Sequence, residues 1–465
     1  MLVTGYSGND PYHFATLSYS GTGVPLWTNL YEGTFGFSSS TSEPTGMALD
    51  SSANVFVTGF SSASPFTGID YVTLAYSGAG TPLWTNGYTG PGKAAQDVAT
   101  AIAVDNSGNV FVTGQSTNSS SGLDYATIAY SGTGGPLWTN RYNGPGNGND
   151  YAEAVAADSS GNVFLTGYSA NGSSGYDYAT LAYSSAGALV WTNYYNGTGN
   201  STNHVRAMEV DTNSGNVFVT GYSTSSAGDY DYATLAYSSA GVPLWTNRYN
   251  GPGNGGDYAE ALATDGSGNV FATGYSVGIG CSNDYATVAY SSGGLPLWTN
   301  RYNGEANGDD RAVAVAVDGN DNVFVTGYSI GSSGNYDYLT IAYSSAGVPL
   351  WTNRFNSPYN LDDYAKAITV DSSGNVFVTG YSWASGSGYG WYDYATIKYS
   401  SSLRAYLDIQ LITDQNQVVL SWTNAAFNLQ SAPFASGTFT NIPGAMSPYP
   451  CPITGSQQYF RLVAN

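Results

Sequence analysis

The side chains best suited to bind a polar ligand occupy one position that varies between otherwise similar repeats. In chain order this position holds Thr45, Thr100, Glu153, Arg206, Glu260, Val313 and Lys366. Two carboxylates and two cations at one place could bind a charged or hydroxyl-rich ligand, which needs a few convergent polar groups. They could equally form a self-neutralising ring in solvent. The residues alone leave both interpretations open.

A second variable position lies two residues earlier and is mostly aromatic. It holds Tyr151, His204, Tyr258, Arg311 and Tyr364. Aromatic side chains offer apolar faces on which sugar rings can stack, and the tyrosine hydroxyl adds a polar contact. The predicted ligand-binding residues are therefore Glu153, Arg206, Glu260, Lys366, Tyr151, Tyr258 and Tyr364.

The chain carries little that suggests nucleophilic or metal catalysis. Its two histidines, His13 and His204, lie in different repeats, and no Ser-His-Asp, Cys-His or zinc-ligand spacing is present. The Asp-x-Ser-Gly-Asn turns offer oxygen ligands but lack the dense acidic ladder of a calcium loop. We expect no catalytic residue, metal or cofactor, with bound calcium as the alternative.

An internal repeat of about 53–55 residues positions these side chains. Its Thr-Gly step recurs at Gly5, Gly59, Gly114, Gly167, Gly221, Gly274, Gly327 and Gly380. Its Asp-Tyr-Ala-Thr motif, or a close variant, begins at Asp70, Asp124, Asp177, Asp231, Asp284, Asp337 and Asp393, with a degenerate copy at Phe14. Its Trp-Thr-Asn motif begins at Trp27, Trp84, Trp138, Trp191, Trp245, Trp298 and Trp351.

Each repeat contains four strand-like runs separated by turns rich in Gly, Asn and Ser, which predicts a four-stranded propeller blade. The first run alternates alanine, as in Ala152, Ala154 and Ala156, and fits the crowded axis. The Thr-Gly and Asp-Tyr-Ala-Thr runs are apolar on both faces and fit the middle of a blade. The tryptophan run is then outermost, and we expect its tryptophans to be packing residues and not ligand platforms.

The number of strands predicts an all-β, eight-bladed propeller over residues 1–402. The second and third runs occur eight times, whereas the first and fourth occur seven times. The first blade should therefore lack its inner strand and the last blade its outer strand. A seven-bladed ring that leaves residues 2–20 outside is the alternative. Residues 403–465 leave the repeat and predict a small β-sandwich-like module.

The composition is acidic, with a formal net charge of −21. More than half of the 32 acidic residues are aspartates at three repeated positions, which we interpret as turn-forming residues. An acidic surface disfavours nucleic acid and anionic membranes as partners. No segment has the length and hydropathy of a membrane span. The two cysteines, Cys281 and Cys451, could pair, but nothing in the sequence supports a bridge.

The repeats resemble the bacterial SBBP β-propeller family. The resemblance rests on Asp-x-x-Gly-Asn-Val-Phe-Val-Thr-Gly-Tyr-Ser at 371–382 followed by Asp-Tyr-Ala-Thr at 393–396. The tail after residue 402 looks like a short C-terminal module of secreted bacterial proteins. The resemblance implies an exported propeller, extracellular or on the cell surface, and implies no shared catalytic residue.

We therefore expect a non-enzymatic protein for binding or adhesion, with a glycan or an extracellular protein as partner and without nucleic acid or membrane insertion. Self-association through the incomplete terminal blades, giving a filament or surface layer, is the alternative. A polysaccharide lyase or hydrolase that uses Glu153 or Glu260 as acid or base is a weaker one, since a propeller fold by itself specifies no chemistry.

Overall fold

The structure, a computed structural model, is built from strands. It describes residues 1–8, 12–33, 42–64, 68–92, 96–118, 122–173, 175–198, 201–279, 282–386, 389–400, 408–412, 417–421, 427–432, 438–443, 445–446, 449–452 and 459–464. Every helix or strand within these ranges is a β-strand, which confirms the predicted all-β class. No helix long and apolar enough to cross a membrane occurs among them.

The described repeats form eight consecutive antiparallel sheets, called sheets 1 to 8 in chain order. Sheets 2 to 7 have four strands each, and sheets 1 and 8 have three. The strands of sheets 1 to 4 are β1 (Leu2–Ser7), β2 (His13–Tyr19), β3 (Pro25–Tyr31), β4 (Ser42–Leu49), β5 (Val55–Ser64), β6 (Gly68–Tyr76), β7 (Pro82–Tyr88), β8 (Asp97–Val104), β9 (Val110–Asn118), β10 (Gly122–Tyr130), β11 (Pro136–Tyr142), β12 (Asp150–Ala157), β13 (Val163–Ala170), β14 (Tyr176–Tyr183) and β15 (Leu189–Tyr195).

The strands of sheets 5 to 8 are β16 (Asn203–Val210), β17 (Val217–Thr224), β18 (Tyr230–Tyr237), β19 (Pro243–Tyr249), β20 (Asp257–Thr264), β21 (Val270–Val277), β22 (Asn283–Tyr290), β23 (Pro296–Tyr302), β24 (Asp310–Val317), β25 (Val323–Ile330), β26 (Tyr336–Tyr343), β27 (Pro349–Phe355), β28 (Asp363–Val370), β29 (Val376–Gly386) and β30 (Tyr389–Tyr399).

The radial order of the strands agrees with the sequence. The alanine-rich strands β4, β8, β12, β16, β20, β24 and β28 contact one another in turn and form the inner layer. The tryptophan strands lie at the opposite edge of each four-stranded sheet, where Leu137 and Leu244 are exposed. Clusters of apolar side chains lie between neighbouring sheets. They fill the space from the inner strands to the tryptophan strands, as a ring of blades requires.

A glycine and a tyrosine join each of sheets 2 to 7 to the sheet that follows it, a contact called the interlock below. A Cβ on Gly167 of sheet 4 would lie 2.0 Å from the carbonyl oxygen of Tyr151 and 2.5 Å from the hydroxyl of Tyr125, which belongs to sheet 3. Tyr125 is buried, and its hydroxyl donates to the carbonyl of Ala179 in sheet 4 at 3.2 Å. Glycine is required because any side chain would displace the inner strand and the tyrosine.

The interlock repeats around the molecule. Equivalent hydroxyl donors and carbonyl acceptors are Tyr71 and Ala126, Tyr178 and Ala233, Tyr232 and Ala286, Tyr285 and Leu339, and Tyr338 and Ala395. Burial raises the pKa of Tyr232 and Tyr285 well above the ordinary value, so these phenols stay protonated donors.

The tryptophans also bind the following sheet. The indole N–H of Trp138 donates to the carbonyl of Ser185 at 3.1 Å, and the side-chain amide of Asn140 donates to that of Gly187 at 2.7 Å. The indole ring of Trp138 packs against Gly187 and leaves no space for a Cβ there. The φ of Gly187 is 81°, a left-handed backbone conformation that glycine adopts readily. Each half-buried tryptophan from Trp27 to Trp298 makes the same hydrogen bond. The predicted packing role is confirmed.

The repeated aspartates have three structural roles, two of which fit the prediction that they bond nearby backbone N–H groups at turns. Asp158 accepts the backbone N–H groups of Ser160 and Asn162 and the side-chain amide of Asn162, which fixes the hairpin. Asp150 accepts the N–H of Gly144 at 2.7 Å and holds the connection from the preceding sheet. Asp150 and its equivalents thus bond nearby backbone N–H groups, as the turn interpretation predicts.

Four aspartates of the third strand are buried partners of arginines. Asp124 pairs with Arg141 of the neighbouring strand at 3.0 Å, and Arg141 also donates to the hydroxyl of Tyr88 in the preceding sheet at 3.1 Å. Equivalent pairs are Asp231 with Arg248, Asp284 with Arg301, and Asp337 with Arg354. The turn interpretation was wrong here because a buried carboxylate needs a cation or donors close by.

Sheets 8 and 1 meet through side chains. The hydroxyl of Tyr394 donates to the carbonyl of Tyr6 at 2.9 Å, and the ammonium of Lys398 donates to that of Gly21 at 3.1 Å. Strands β1 and β2 also contact β4 of sheet 2. The propeller fold is thus present, and closure of these sheets into one eight-bladed ring stays a prediction.

The C-terminal residues form two three-stranded sheets. One contains β31 (Asp408–Ile412), β32 (Gln417–Ser421) and β35 (Tyr449–Pro452), and the other contains β33 (Phe427–Ala432), β34 (Thr440–Asn441) and β36 (Tyr459–Ala464). Leu420, Leu429 and Cys451 belong to one buried cluster that joins both sheets. Cys451 is a free thiol, and Cys281 lies outside the described residues.

The strand β35 was not predicted from the sequence because Pro450 and Pro452 punctuate it. It occupies the edge of its sheet, where a residue without an N–H is tolerated.

We predict that Gly167→Ala lowers the free energy of unfolding by about 1–3 kcal/mol, because the new methyl group overlaps the inner strand. The measurement is the guanidinium unfolding midpoint at constant slope. Gly319→Ala is the matched control, since a Cβ there has no atom within 4 Å. Equal effects of the two substitutions would contradict the interlock.

Candidate ligand site at the inner strands

The variable position of the sequence is a β-bulge in the structure. In β12, Ala152 pairs with Gly167 and Ala154 pairs with Thr166, so that Glu153 has no partner on β13. The same shift occurs at Thr45, Thr100, Arg206, Glu260, Val313 and Lys366. A bulge redirects one side chain without ending the strand, which is how a regular sheet presents a residue to a site.

The four predicted charged residues lie in one electrostatic environment. The guanidinium Nε of Arg206 is 3.6 Å from a carboxylate oxygen of Glu260 on the next inner strand. Burial raises the pKa of Glu153 to about 7, against the lowering effect of Arg206 and with a further rise from Glu260. Burial also raises the pKa of Glu260, which Arg206, Arg311 and Lys366 oppose. The structure therefore places Arg206 and Glu260 in contact, and Glu153 and Lys366 within range of their charges.

The same position has a structural use in sheets 2 and 3. The hydroxyl of Thr45 donates to the carbonyl of Ala99 at 2.8 Å, and that of Thr100 donates to the carbonyl of Ala152 at 2.7 Å. Each threonine thus ties its inner strand to the next one. The charged bulges lie in sheets 4, 5, 6 and 8, so the site is restricted to one arc of the inner layer.

The predicted aromatic residues contact a second row of tyrosines. Tyr151 stacks on Tyr168 with centroids 4.9 Å apart, and Tyr258 stacks on Tyr275 at 4.9 Å. Tyr364 lies 5.2 Å from Tyr381. The second row, here called the tyrosine girdle, consists of Tyr168, Tyr222, Tyr275, Tyr328 and Tyr381.

Sequence reasoning missed the girdle because its Gly-Tyr-Ser motif recurs in most repeats and was interpreted as structural. Its signal was the register: each girdle tyrosine follows the Thr-Gly glycine and so lies opposite the variable aromatic position, as Tyr168 does to Tyr151. The girdle residues are half-buried. They are therefore partly accessible beside the first residues of the inner strands.

Cations cover several girdle tyrosines. Arg206 lies over Tyr222 at 5.4 Å, and Lys366 lies over Tyr381 at 5.3 Å. Arg311 lies over Tyr275 at 4.7 Å and pairs with Asp309. These cation–π contacts help to position the charges. The site therefore combines aromatic faces with fixed donors and acceptors.

His204 and Glu209 add two groups in sheet 5. His204 lies 4.3 Å from Tyr168, and burial with the nearby Arg206 lowers its pKa to about 4, so that it is neutral at pH 7. Burial raises the pKa of Glu209 to about 7. Sequence reasoning missed Glu209, although it replaces the small residues of other inner strands, for instance Ala156 and Ala263.

The described residues contain no group of three or more His, Cys, Asp or Glu side chains placed to hold a metal ion. The carboxylates of the Asp-x-Ser-Gly-Asn turns, weighed above for calcium, accept amide hydrogens at both oxygens, as Asp158 does.

Two stretches of the chain, residues 88–120 and 350–386, match the family model described as SBBP, a β-propeller repeat. No curated protein matches the chain.

Several solved structures are similar in fold. One is a protein of unknown function from Bacteroides caccae, with 11% identity and a TM-score of 0.37 over 65% of this chain and 93% of that one. Another is the periplasmic gluconolactonase PpgL of Pseudomonas aeruginosa, with 12% identity and a TM-score of 0.44 over 78% of this chain and 98% of that one. A eukaryotic initiation factor has 9% identity and a TM-score of 0.39 over 74% and 76% of the two chains.

We predict a pH-dependent stability difference between the wild type and Glu153→Gln. The pKa of Glu153 is raised from 4.5 to about 7 in the folded protein. Its contribution to stability is therefore complete below about pH 4.5 and is lost as the pH rises through 7. The variant should gain stability relative to the wild type across this interval.

The measurement is the free energy of unfolding of both proteins from pH 4 to pH 8. Glu305→Gln, at an exposed position, is the control for substitution of a carboxylate. A difference between the wild type and Glu153→Gln that does not change with pH would show that Glu153 titrates as it does in the unfolded chain.

Proposed function

Because the chain carries β-propeller repeats of the SBBP type, we propose that it is a non-enzymatic glycan-binding protein. The binding site is the arc of inner strands that carries Glu153, Arg206, Glu260 and Lys366. The observation that supports this most is the combination of these bulged charges with the tyrosine girdle. The setting that we propose is extracellular, on a cell surface or in the surrounding medium.

The chemistry of the arc suits a saccharide better than other ligands. Tyr151, Tyr258 and Tyr364 pack beside girdle tyrosines and offer rings for stacking. Glu153 and Glu260 can accept sugar hydroxyl hydrogens, while Arg206 and Lys366 can donate to hydroxyl or carboxylate oxygens. A purely apolar ligand would leave these half-buried charges desolvated without partners.

The arc is also the place where the residues of the repeats differ from one another. The interlock, the tryptophan hydrogen bonds and the turn aspartates recur from sheet to sheet and hold the fold together. The bulged residues differ from sheet to sheet, and stability does not require their variety. This separation supports a binding role for the bulges, in preference to the self-neutralising ring considered above.

One observation favours a second candidate, an enzyme that cleaves a glycan. A carboxyl with a pKa of about 7, such as Glu153, is suited to general acid catalysis near neutral pH. Glu260 raises the pKa of Glu153 and could act as its ionised partner. We rank this second because Glu260 is already paired with Arg206.

Binding is tested by screening immobilised glycans and measuring the affinity of the best ligand by calorimetry. We predict that the double variant Glu153→Ala, Arg206→Ala lowers the affinity at least about tenfold, because two polar contacts are lost. Its thermal midpoint should stay close to that of the wild type. Val313→Ala, at the apolar bulge of sheet 7, is the matched control and should bind normally.

Two outcomes would contradict the proposal. One is unchanged affinity of the double variant, with the ligand mapped to the tryptophan strands or to residues 408–464. The other is a shortened or unsaturated product after incubation with the ligand, which would favour the enzyme.

A further inference from the structure

The outer strands of sheets 3, 5, 6 and 7 carry an arginine that is held by a repeated set of acceptors. In sheet 3 the guanidinium of Arg141 donates to Asp124 at 3.0 Å and to the carbonyl of Ser116 at 2.8 Å. It also donates to the hydroxyl of Tyr88 in the preceding sheet at 3.1 Å. The arginines of sheets 5 and 6 repeat all three contacts. Each of these pockets therefore holds one guanidinium group between two sheets.

Sheet 2 keeps these acceptors but has a glycine in place of the arginine. The strand registers make Gly87 equivalent to Arg141. In the same registers, Tyr31, Ser61 and Asp70 are equivalent to the tyrosine, serine and aspartate that bind the arginine in sheet 3. Sheet 2 therefore has the acceptors for a guanidinium group, and its own outer strand supplies no side chain to meet them.

The glycine leaves space at the point where the arginine side chain would begin. Gly87 is exposed, and a Cβ there would have one atom within 4 Å, the carbonyl oxygen of Tyr71 at 3.5 Å. Sheet 4 also lacks the arginine, but Tyr194 takes its place and its hydroxyl contacts that of Tyr142. The position is thus filled by the chain itself in sheet 4 and opens to solvent in sheet 2.

The tyrosine of this set has an unsatisfied hydroxyl. The hydroxyl of Tyr31 is buried and has no hydrogen-bond partner in the described part of the chain. The equivalent tyrosines of sheets 2, 4 and 5 each accept a hydrogen from an arginine of the next sheet. Burial raises the pKa of Tyr31, so that it stays a neutral phenol with free lone pairs. A guanidinium N–H would supply the missing partner.

The aspartate of this set lacks the cover that an arginine provides. Asp70 is half-buried, whereas the four aspartates that pair with arginines are only 2–6% exposed. Burial raises the pKa of Asp70, the hydroxyl of Thr89 opposes this rise, and the charge of Asp97 adds to it. A cation beside Asp70 would favour its ionised form and offset the cost of its burial.

We propose that sheet 2 contains a binding pocket for a small alkylguanidinium compound, of the chemical class of arginine. The guanidinium group would lie between Asp70, Ser61 and Tyr31, and its alkyl chain would leave the pocket past Gly87. A planar guanidinium fits these acceptors better than an ammonium, because its N–H donors form a fixed fork. The net charge of −21 favours the approach of a cation. This pocket is separate from the proposed glycan site.

A small compound is the occupant that the repeats favour. The pockets of sheets 3, 5, 6 and 7 recognise a single side chain through its guanidinium group, and the strand that carries it is held by pairing within the sheet. The acceptors of sheet 2 therefore specify a guanidinium group with a short alkyl chain and nothing that lies beyond it.

The test titrates the full chain with N-propylguanidinium by calorimetry at pH 7. The wild type should bind one equivalent with a Kd of about 1 mM, as expected for a small charged ligand. N-Propylurea has a similar shape without the charge and should bind at least about tenfold more weakly. Asp70→Asn should weaken binding to the same extent, while Glu305→Gln, at an exposed position, is the control and should bind normally.

Two further variants fill one pocket and open another. Gly87→Arg supplies the guanidinium from the chain itself, so it should raise the thermal midpoint by a few degrees and abolish binding. Arg248→Gly removes the arginine of sheet 5 and creates a second pocket of the same kind. It should lower the thermal midpoint, bind a second equivalent of N-propylguanidinium and regain part of the lost midpoint when the compound is added.

Three results would overturn the proposal. The first is a wild type that binds no N-propylguanidinium up to about 20 mM, and Arg248→Gly shows that the measurement detects such a pocket. The second is unchanged binding to Gly87→Arg, which would place the compound elsewhere. The third is a capped Gly-Arg-Gly peptide that binds at least about tenfold more tightly than N-propylguanidinium, which would assign the pocket to an arginine of a partner protein.

Discussion

The structure depends on the close approach of three backbones and one phenol at six of the eight Thr-Gly glycines. At Gly167 the inner strand lies where a Cβ would be, and the hydroxyl of Tyr125 passes beside it to bond Ala179 in the same sheet as the glycine. One missing side chain thus permits both strand pairing within a sheet and hydrogen bonding between sheets. Because the contact is repeated from sheet to sheet, the glycine of the Thr-Gly step is kept. The sequence carries this step eight times.

This constraint explains where variation is allowed. The bulge follows the interlocked residue of the inner strand, so that its side chain leaves the crowded contact and reaches the inner layer. Thr45 and Thr100 use this position to donate a hydrogen bond to the next inner strand. In other sheets the position carries charged side chains, and the charges of Arg206 and Lys366 lower the pKa of Glu260. A single backbone irregularity therefore separates residues that hold the fold from residues that are available for binding.

The repeat made most of the fold predictable, because its period, its turn residues and its alternating alanines specify strands, order and layers. The variable position was predicted for the same reason, because it breaks the repeat, but its β-bulge was not predicted. What the sequence did not reveal depends on contacts between strands. Asp124 of the third strand looked like a turn residue. Only the structure shows that Arg141, on the neighbouring strand, forms an ion pair with this buried aspartate. The tyrosine girdle was missed since its motif repeats, and β35 was hidden by its prolines.

The central claim is that the repeated side chains stabilise the molecule and that the charged side chains at the bulges do not. The most direct measurement compares the free energy of unfolding of Tyr232→Phe and Glu260→Gln. Tyr232→Phe removes the 3.0 Å hydrogen bond to the carbonyl of Ala286 and should cost about 0.5–1.5 kcal/mol, because this buried carbonyl loses one of its two side-chain donors and keeps the hydroxyl of Thr273. Glu260→Gln removes a half-exposed pair and should change stability by less than about 1 kcal/mol. A larger loss for Glu260→Gln than for Tyr232→Phe would contradict the account.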